Sequence, residues 1–432
     1  LSGRLDLFKT GTEAEIGTSE PVEPEQADTC GGNKSRIRAP SSASTIIRGT
    51  VIDSLTTRSA PSRVAIAGAG LLGRLTAWRL SRAGIHVDVY EAGSLDAPTA
   101  AATSAAGMLS PLSEAVVSDY QIYRMGLHSL TLWPQWLSEL GPQALTHFHC
   151  NGSLVVAHPQ DDCELVQFEA DLTRLIGRNN IAMQSLNASQ IQTVEPDLNP
   201  QFKRALLLEN EAHLDNRQLL QTLLEYLRHS DKVTLTDNTP VAVAPHTITQ
   251  LNRQQKTAYD WVIDCRGFGA KTQQPSLRGV RGETLHVYTS EVNLQRPVRL
   301  MHPRYQLYIV PKPNQRYIIG ATQIESEDTS PISLQSSLEL SSALYTLAPA
   351  FAESRIVESD SNLRPAYIDN LPKITRDDGL ICANGLYRHG YLLAPVMVEL
   401  LLTTFNLPTS SDEFSSLIQH SHATPLAQKV SL

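Results

Sequence analysis

The sequence has no apolar run that approaches the ~18 residues a membrane-spanning helix needs. It has five cysteines among 432 residues (Cys30, Cys150, Cys163, Cys265 and Cys382), odd in number and scattered. None forms a C-x-x-C pair, which argues against a zinc ribbon and against a disulfide framework. A reducing, cytoplasmic compartment is the simplest expectation. The chain also lacks a basic surplus: with 36 Lys and Arg against 44 Asp and Glu, its net charge is −8. A general nucleic-acid binder would need the opposite balance. No internal repeat is evident, and no histidine shows ligand spacing. His213, His286 and His302 have no suitably placed acids or cysteines nearby in sequence, so they read as packing or surface residues and no metal site is expected.

What is present is a globular composition, 41% apolar, with length enough for two domains and an extension. Residues 1–61 stand apart. They are rich in Ser, Thr, Gly and charge with little periodic apolar content, and read as a disordered arm. The chain opens on Leu1 rather than Met, as a processed or truncated product would.

The informative stretch is "VAIAGAGLLG" at 64–73. Val64 to Ala67 form a short apolar run suited to a buried parallel strand. Gly68, Gly70 and Gly73 give G-x-G-x-x-G: a tight turn, close approach of backbone to a diphosphate, and close helix–strand packing. The helix that follows places Leu71, Leu75 and Trp78 toward one face, with Arg74, Arg79 and Arg82 largely off it. Gly84 suits its C-terminal end. The second strand, "HVDVYE", ends on Glu91, 18 positions after the last glycine, where a carboxylate can accept hydrogen bonds from ribose hydroxyls. Strand, glycines, helix, strand and terminal acid in this order indicate a dinucleotide site.

Further along, "HLDNRQLLQTLLEYLRHS" predicts a helix with Leu219, Leu220, Leu223, Leu224 and Leu227 on one face and Asp215 as N-cap. "WVIDCRGFG" restores the nucleotide-domain character after an excursion. "ETLHVYTS", "YQLYIVPK" and "RYIIGATQ" alternate as an antiparallel sheet does. A last helix is expected from about Pro395 to Phe405. The order implies two interleaved domains: a Rossmann-like α/β nucleotide domain (62–145, 205–275 and 356–410) and an antiparallel-sheet α+β substrate domain (146–204 and 276–355), with 411–432 as a tail.

The cofactor is narrowed by two other segments. "TSAAGMLSP" at 103–111 is small and glycine-containing, so backbone can lie against a large flat ligand. "GLYRHGYLLAP" at 385–395 leads into a helix whose N-terminus offers free N–H groups. A nicotinamide enzyme needs neither, whereas FAD, with its distant ring, needs both.

At this point the chain resembles the FAD-dependent D-amino acid oxidase superfamily, and within it the glycine oxidase branch associated with thiamine biosynthesis. The resemblance spans about 62–410. It is carried by "AGAGLLG" with Glu91, "TSAAGMLSP", "HLDNRQLL", "TPVAVAP", "VIDCRGFGA", "GVRGETLHVY", "YIVPKPNQRYIIGAT", "NLRPAYIDNLPKI" and "YRHGYLLAP".

The resemblance implies roles for individual residues. Leu71 and Leu72, with Gly68, Gly70 and Gly73, would lie at the diphosphate turn, and Glu91 with Ala92 at the adenosine ribose. Ala106, Gly107 and Met108 would line the flavin, and Val241 would meet the adenine through its backbone. Leu386, Tyr387, Arg388, His389, Gly390, Tyr391 and Leu392 would wrap the flavin ring, His389 through its backbone. Arg364, helped by Tyr308, would hold the substrate carboxylate, with Arg388 near substrate and flavin. No catalytic base is expected, because oxidation at Cα by hydride transfer asks mainly for orientation.

The implied activity is oxidation of glycine or another small primary or secondary amino acid to the imino acid, with O2 reduced to H2O2, supplying thiamine thiazole synthesis. Two alternatives remain open: a D-amino acid or secondary-amine dehydrogenase passing electrons to a quinone, and a non-catalytic flavin-binding partner protein. The expected partners are a small amino acid and O2, with no nucleic acid and no membrane span; assembly into a homo-oligomer is left open.

Overall fold

The computed structural model describes residues 61–303 and 307–420. The arm expected at 1–61 lies outside the described residues up to residue 60, as does the last part of the expected tail, 421–432. The described residues fall within one compact unit built on two large sheets. The fold is α/β, as expected from the sequence, with a Rossmann-like sheet interleaved with a mostly antiparallel one.

The first sheet has seven strands, with Arg63–Ala67 near its middle. Parallel neighbours Trp261–Asp264 and His86–Tyr90 flank it. Val64 to Ala67 are fully buried, as a strand covered on both faces must be. Helices Leu71–Arg82, Asn216–His229 and Gly390–Thr403 share this sheet's core. Asp215 caps the second, accepting from the Gln218 N–H, and the five predicted leucines are all buried. Each leucine taken out of water contributes about 1.5–3 kcal/mol before entropy is counted.

Two local expectations are corrected. Arg74 does not face away from the core. It is buried, and its guanidinium donates to the carbonyls of Ala69 and Leu220, each at 2.7 Å. A charge in the interior is tolerated because backbone oxygens replace its water. The last helix begins at Gly390, not near Pro395, which lies inside it. Pro395 has no N–H for the carbonyl of Tyr391 four residues earlier. The indole N–H of Trp133 donates to that carbonyl at 3.0 Å and makes the interior proline acceptable.

The second sheet has eight strands in the order 355–366, 278–288, 316–320, 307–312, 298–301, 153–157, 204–208, 183–187. All neighbours are antiparallel except Val298–Met301 with Ser153–Ala157. Two strands assigned by sequence to the nucleotide domain are found here. Arg204–Leu208 inserts between two strands of this sheet, and Arg355–Ala366 pairs along its length with Arg278–Tyr288. The stretch expected as a tail likewise starts later than 411: Ile418–His420 pairs in parallel with Lys373–Asp377 at the edge of the seven-stranded sheet.

Two buried histidines make the fold sensitive to acid. His213 is held neutral by burial, with Lys312 and His149 adding to the effect, and its pKa is pushed down to about 2. Burial, then Arg217, pushes His286 down to about 4. The unfolded chain takes up protons at these positions near 6.5, so between that pH and the folded values the unfolded state binds more protons. Their contribution is fully present above pH 6.5 and is lost as pH falls from there, toward 4 for His286 and on toward 2 for His213. The midpoint of thermal unfolding is expected to drop steadily from pH 6.5 to 4, with a shallower drop in His213→Asn. A flat profile over this range would contradict the assignment.

Candidate active site

A cavity of about 1570 Å³ runs from the glycine turn of the first sheet to the wall of the second. At one end, Gly68 has φ +96°, and a Cβ there would lie 2.6 Å from the carbonyl oxygen of Cys265. A Cβ at Gly73 would lie 1.9 Å from the Gly68 carbonyl oxygen, so this position admits only glycine without rebuilding the turn. A Cβ at Gly70, by contrast, would meet only Ala100 Cβ at 3.7 Å, an ordinary contact. Gly68, Gly70, Leu71, Leu72, Glu91 and Ala92 all line the cavity; Gly73 does not, and serves the packing of helix on strand. The Glu91 carboxylate is fixed by the Ala69 N–H at 2.7 Å and the Gly93 N–H at 3.2 Å. Its remaining lone pairs are available to a ligand. Val241 lines the same end, its carbonyl already accepting from Arg266 at 2.9 Å.

At the other end, Ala106, Gly107 and Met108 form one wall and residues 386–392 another. The 3₁₀ turn Tyr387–His389 delivers the chain into the helix Gly390–Thr403, whose N-terminal N–H groups have no partner within the helix. Gly107 has φ +71°, and a Cβ there would lie 2.5 Å from the Leu214 carbonyl oxygen. Sequence reasoning missed what holds this wall. Lys312 Nζ donates to the carbonyls of Ala106 (2.7 Å) and Leu214 (2.6 Å) and to Asn216 Oδ1 (3.1 Å). Burial pushes its pKa down to about 7, while three acceptors suit the three N–H bonds of an ammonium. The signal was a lysine closing an otherwise apolar strand. A helix N-terminus beside a bare glycine turn, a fixed acid beyond it and a second small-residue wall fit the expected FAD, a long ligand with a diphosphate in its middle.

The wall contributed by the second sheet carries Arg364 and Tyr308. Arg364 donates from Nη1 to the carbonyls of Thr322 at 3.0 Å and Arg281 at 3.4 Å. Among the described residues no carboxylate lies within ion-pair distance of it. Burial lowers its pKa, Tyr308 and Tyr387 acting the other way. Burial raises the pKa of the Tyr308 hydroxyl, opposed by Arg364 and Arg388, so the phenol stays protonated and able to donate.

Arg388 reaches the same cavity but is paired: its Nη2 donates to Glu114 Oε2 at 2.7 Å. His389 does more than offer backbone, contrary to expectation. Its ring is buried, with Nε2 2.9 Å from the same Glu114 oxygen and 3.2 Å from Ser118 Oγ. Against the opposing effect of burial, His389 and Arg388 hold Glu114 well below the usual carboxylate range. Glu114 was missed in the sequence, where it is a lone acid in a small-residue segment. Arg299, buried beside it and 3.3 Å from the Ser113 carbonyl, was missed as well. The cavity thus brings together the Glu114, Arg388 and His389 cluster and the Arg364 guanidinium, whose hydrogen bonds among the described residues go to carbonyl oxygens.

The family described as FAD dependent oxidoreductase matches residues 63–402. A Rhizobium etli protein named for thiamine biosynthesis oxidoreductase ThiO is 39% identical over 336 residues, covering 78% of this chain and 94% of that one. Glycine oxidase of Pseudomonas aeruginosa is 26% identical over 375 residues, covering 78% and 93%. The crystal structure of glycine oxidase from Geobacillus kaustophilus superposes with a TM-score of 0.69 at 25% identity, covering 81% of this chain and 96% of that one.

Proposed function

The chain belongs to the family of FAD-dependent oxidoreductases, and from that premise we propose that it oxidises glycine or another small amino acid to the imino acid, passing the electrons to O2 with release of H2O2. The relatives named for thiamine biosynthesis and for glycine oxidase support this reading, as does the imino acid's fitness to supply thiazole synthesis. The single observation that carries it is Arg364, a guanidinium at the cavity wall with carbonyl partners and, among the described residues, no carboxylate partner. A partly buried cation without an anion beside it is costly. An α-carboxylate completes it with two parallel hydrogen bonds.

In this reading bound FAD supplies the two-electron acceptor, and the chain's own residues set the geometry. Arg364 fixes the carboxylate, the Tyr308 hydroxyl donates a further hydrogen bond, and the substrate's Cα–H would thereby be held toward the walls formed by Ala106–Met108 and residues 386–392, where the flavin ring would lie. Holding reactants in a reactive pose is itself a large part of a rate enhancement. Glu114 is paired with the Arg388 guanidinium, so its repulsion of the carboxylate is offset. The reaction balances as loss of one hydride from Cα and one proton from nitrogen, both appearing in H2O2. The roles of Gly68, Gly70, Leu71 and Leu72 toward the diphosphate, and of Glu91 toward the ribose, rest on their place in the groove.

Among the described residues no helix is long and apolar enough to cross a membrane. The four described cysteines are free thiols, which suits the reducing cytoplasm we assign to it.

The test is an anaerobic titration of the purified protein with glycine, sarcosine and D-alanine, following the flavin band near ~450 nm. Bleaching that air reverses with release of peroxide is the expected result. Bleaching that only a quinone reverses would make the protein a dehydrogenase. Absence of bleaching with all three would overturn the proposal.

A further inference from the structure

His286 and Glu358 are 72 residues apart in sequence and directly opposite each other in the eight-stranded sheet. Asp360 lies two residues beyond Glu358 on the same face. A β-bulge falls just after His286, where the register with the neighbouring strand shifts. Bulges re-aim side chains. One ring nitrogen of His286 and one oxygen from each carboxylate lie within 4.8 Å of one another. His286 is 6% exposed, and its Nε2 is buried without a hydrogen-bond partner. An unpartnered nitrogen on a buried ring that faces two carboxylates is unusual, since buried polar atoms are nearly always satisfied.

We propose that His286, Glu358 and Asp360 form a binding site for a divalent transition-metal ion, with Arg217 as its resident counter-charge. None of the four residues lines the large cavity, so the site is separate from the cofactor groove. One imidazole and two carboxylates suit zinc or cobalt, with water completing the coordination. An imidazole must be neutral to ligate, and burial keeps His286 neutral at physiological pH.

Arg217, from the helix Asn216–His229, makes a two-pronged pair with Glu358 at 2.6 and 2.8 Å and lies 3.8 Å from Asp360. Arg316 adds a weaker positive influence on Glu358. Each carboxylate oxygen retains a second lone pair, so the ion does not require Arg217 to leave. The positive charge does weaken binding, which sets the direction of one test. Arg217 also donates to the Thr103 carbonyl at 3.2 Å. The site is thereby connected to the segment that continues into Ala106 and Gly107 of the cavity wall.

The experiment uses the full, tag-free, FAD-loaded chain, stripped with chelator and titrated calorimetrically with Zn²⁺. A parallel titration with Co²⁺ follows the visible absorption of four- or five-coordinate cobalt. One Zn²⁺ per chain is expected. His286→Ala and Glu358→Gln should each weaken binding roughly 100-fold or more, since a direct ligand outweighs the 10–100-fold effect of an outer one. Arg217→Gln should tighten it by roughly tenfold through loss of a like charge. Glu358→Gln keeps the test valid if His286→Ala fails to fold, as flavin content reports. No stoichiometric binding to the native chain would overturn the proposal. So would binding that survives both ligand substitutions, or that weakens in Arg217→Gln.

Discussion

Replacing Arg364 with alanine is expected to lower kcat/KM for glycine-like substrates by a few hundred- to several thousand-fold while leaving the bound flavin spectrum intact. Removing one partner of a buried, hydrogen-bonded charge pair costs about 3–5 kcal/mol, much of it from stranding the other charge. Here the stranded charge is the substrate carboxylate. Both constants should suffer: KM from lost binding, and kcat because the same contact orients the Cα–H bond. Lysine at 364 should recover only part of the loss, because a point charge cannot reproduce two parallel N–H bonds. Arg364 donates to the Thr322 and Arg281 carbonyls and makes no ion pair among the described residues, so the substitution breaks no internal salt bridge. Steady-state rates and anaerobic flavin reduction by glycine check this together. Unchanged turnover would remove Arg364 from the substrate site.

The nucleotide half was legible because its physics is local. Gly68 needs the positive φ of the turn it makes, and Gly73 is dictated by the Gly68 carbonyl five residues earlier, so spacing alone records them. The leucine face at 219–227 and its Asp215 cap are local in the same way. What sequence did not reveal depends on pairs far apart along the chain. Glu114 meets Arg388 across 274 residues and His389 across 275, and nothing near Glu114 announces either. Lys312 is similar: its acceptors at Ala106, Leu214 and Asn216 come from two distant segments. Residues 356–366 fall within the expected nucleotide-domain bounds, and the strand Arg355–Ala366 instead takes its place by pairing with Arg278–Tyr288, a partner its own sequence does not announce. Pro395 misled for a different reason. Proline usually marks a helix start, and here the Trp133 indole answers the carbonyl that proline leaves unbonded.

Gly282→Ala is expected to raise KM by roughly 100-fold with little effect on folding or flavin content. Gly282 sits on the strand Arg278–Tyr288 opposite Asn362, two residues before Arg364. Its φ is not in the left-handed region, so the backbone accepts alanine. The obstacle is the guanidinium itself: a Cβ at 282 would lie 2.3 Å from Cζ and Nη2 of Arg364 and 2.7 Å from Nη1. The far end of an arginine moves more readily than a strand, so the side chain yields and the sheet stays. A displacement on the order of 1 Å at a positioning contact can cost about 100-fold. Gly279→Ala on the same strand separates this effect from general crowding. Its Cβ would meet Phe268, Glu327 and Leu363 at 3.1–3.3 Å, and none of its three nearest atoms belongs to Arg364. That variant should lower thermal stability without the rise in KM. If instead the two variants change KM alike, Gly282 is only a packing position; if Gly282→Ala alone raises KM, the glycine is there to seat the guanidinium.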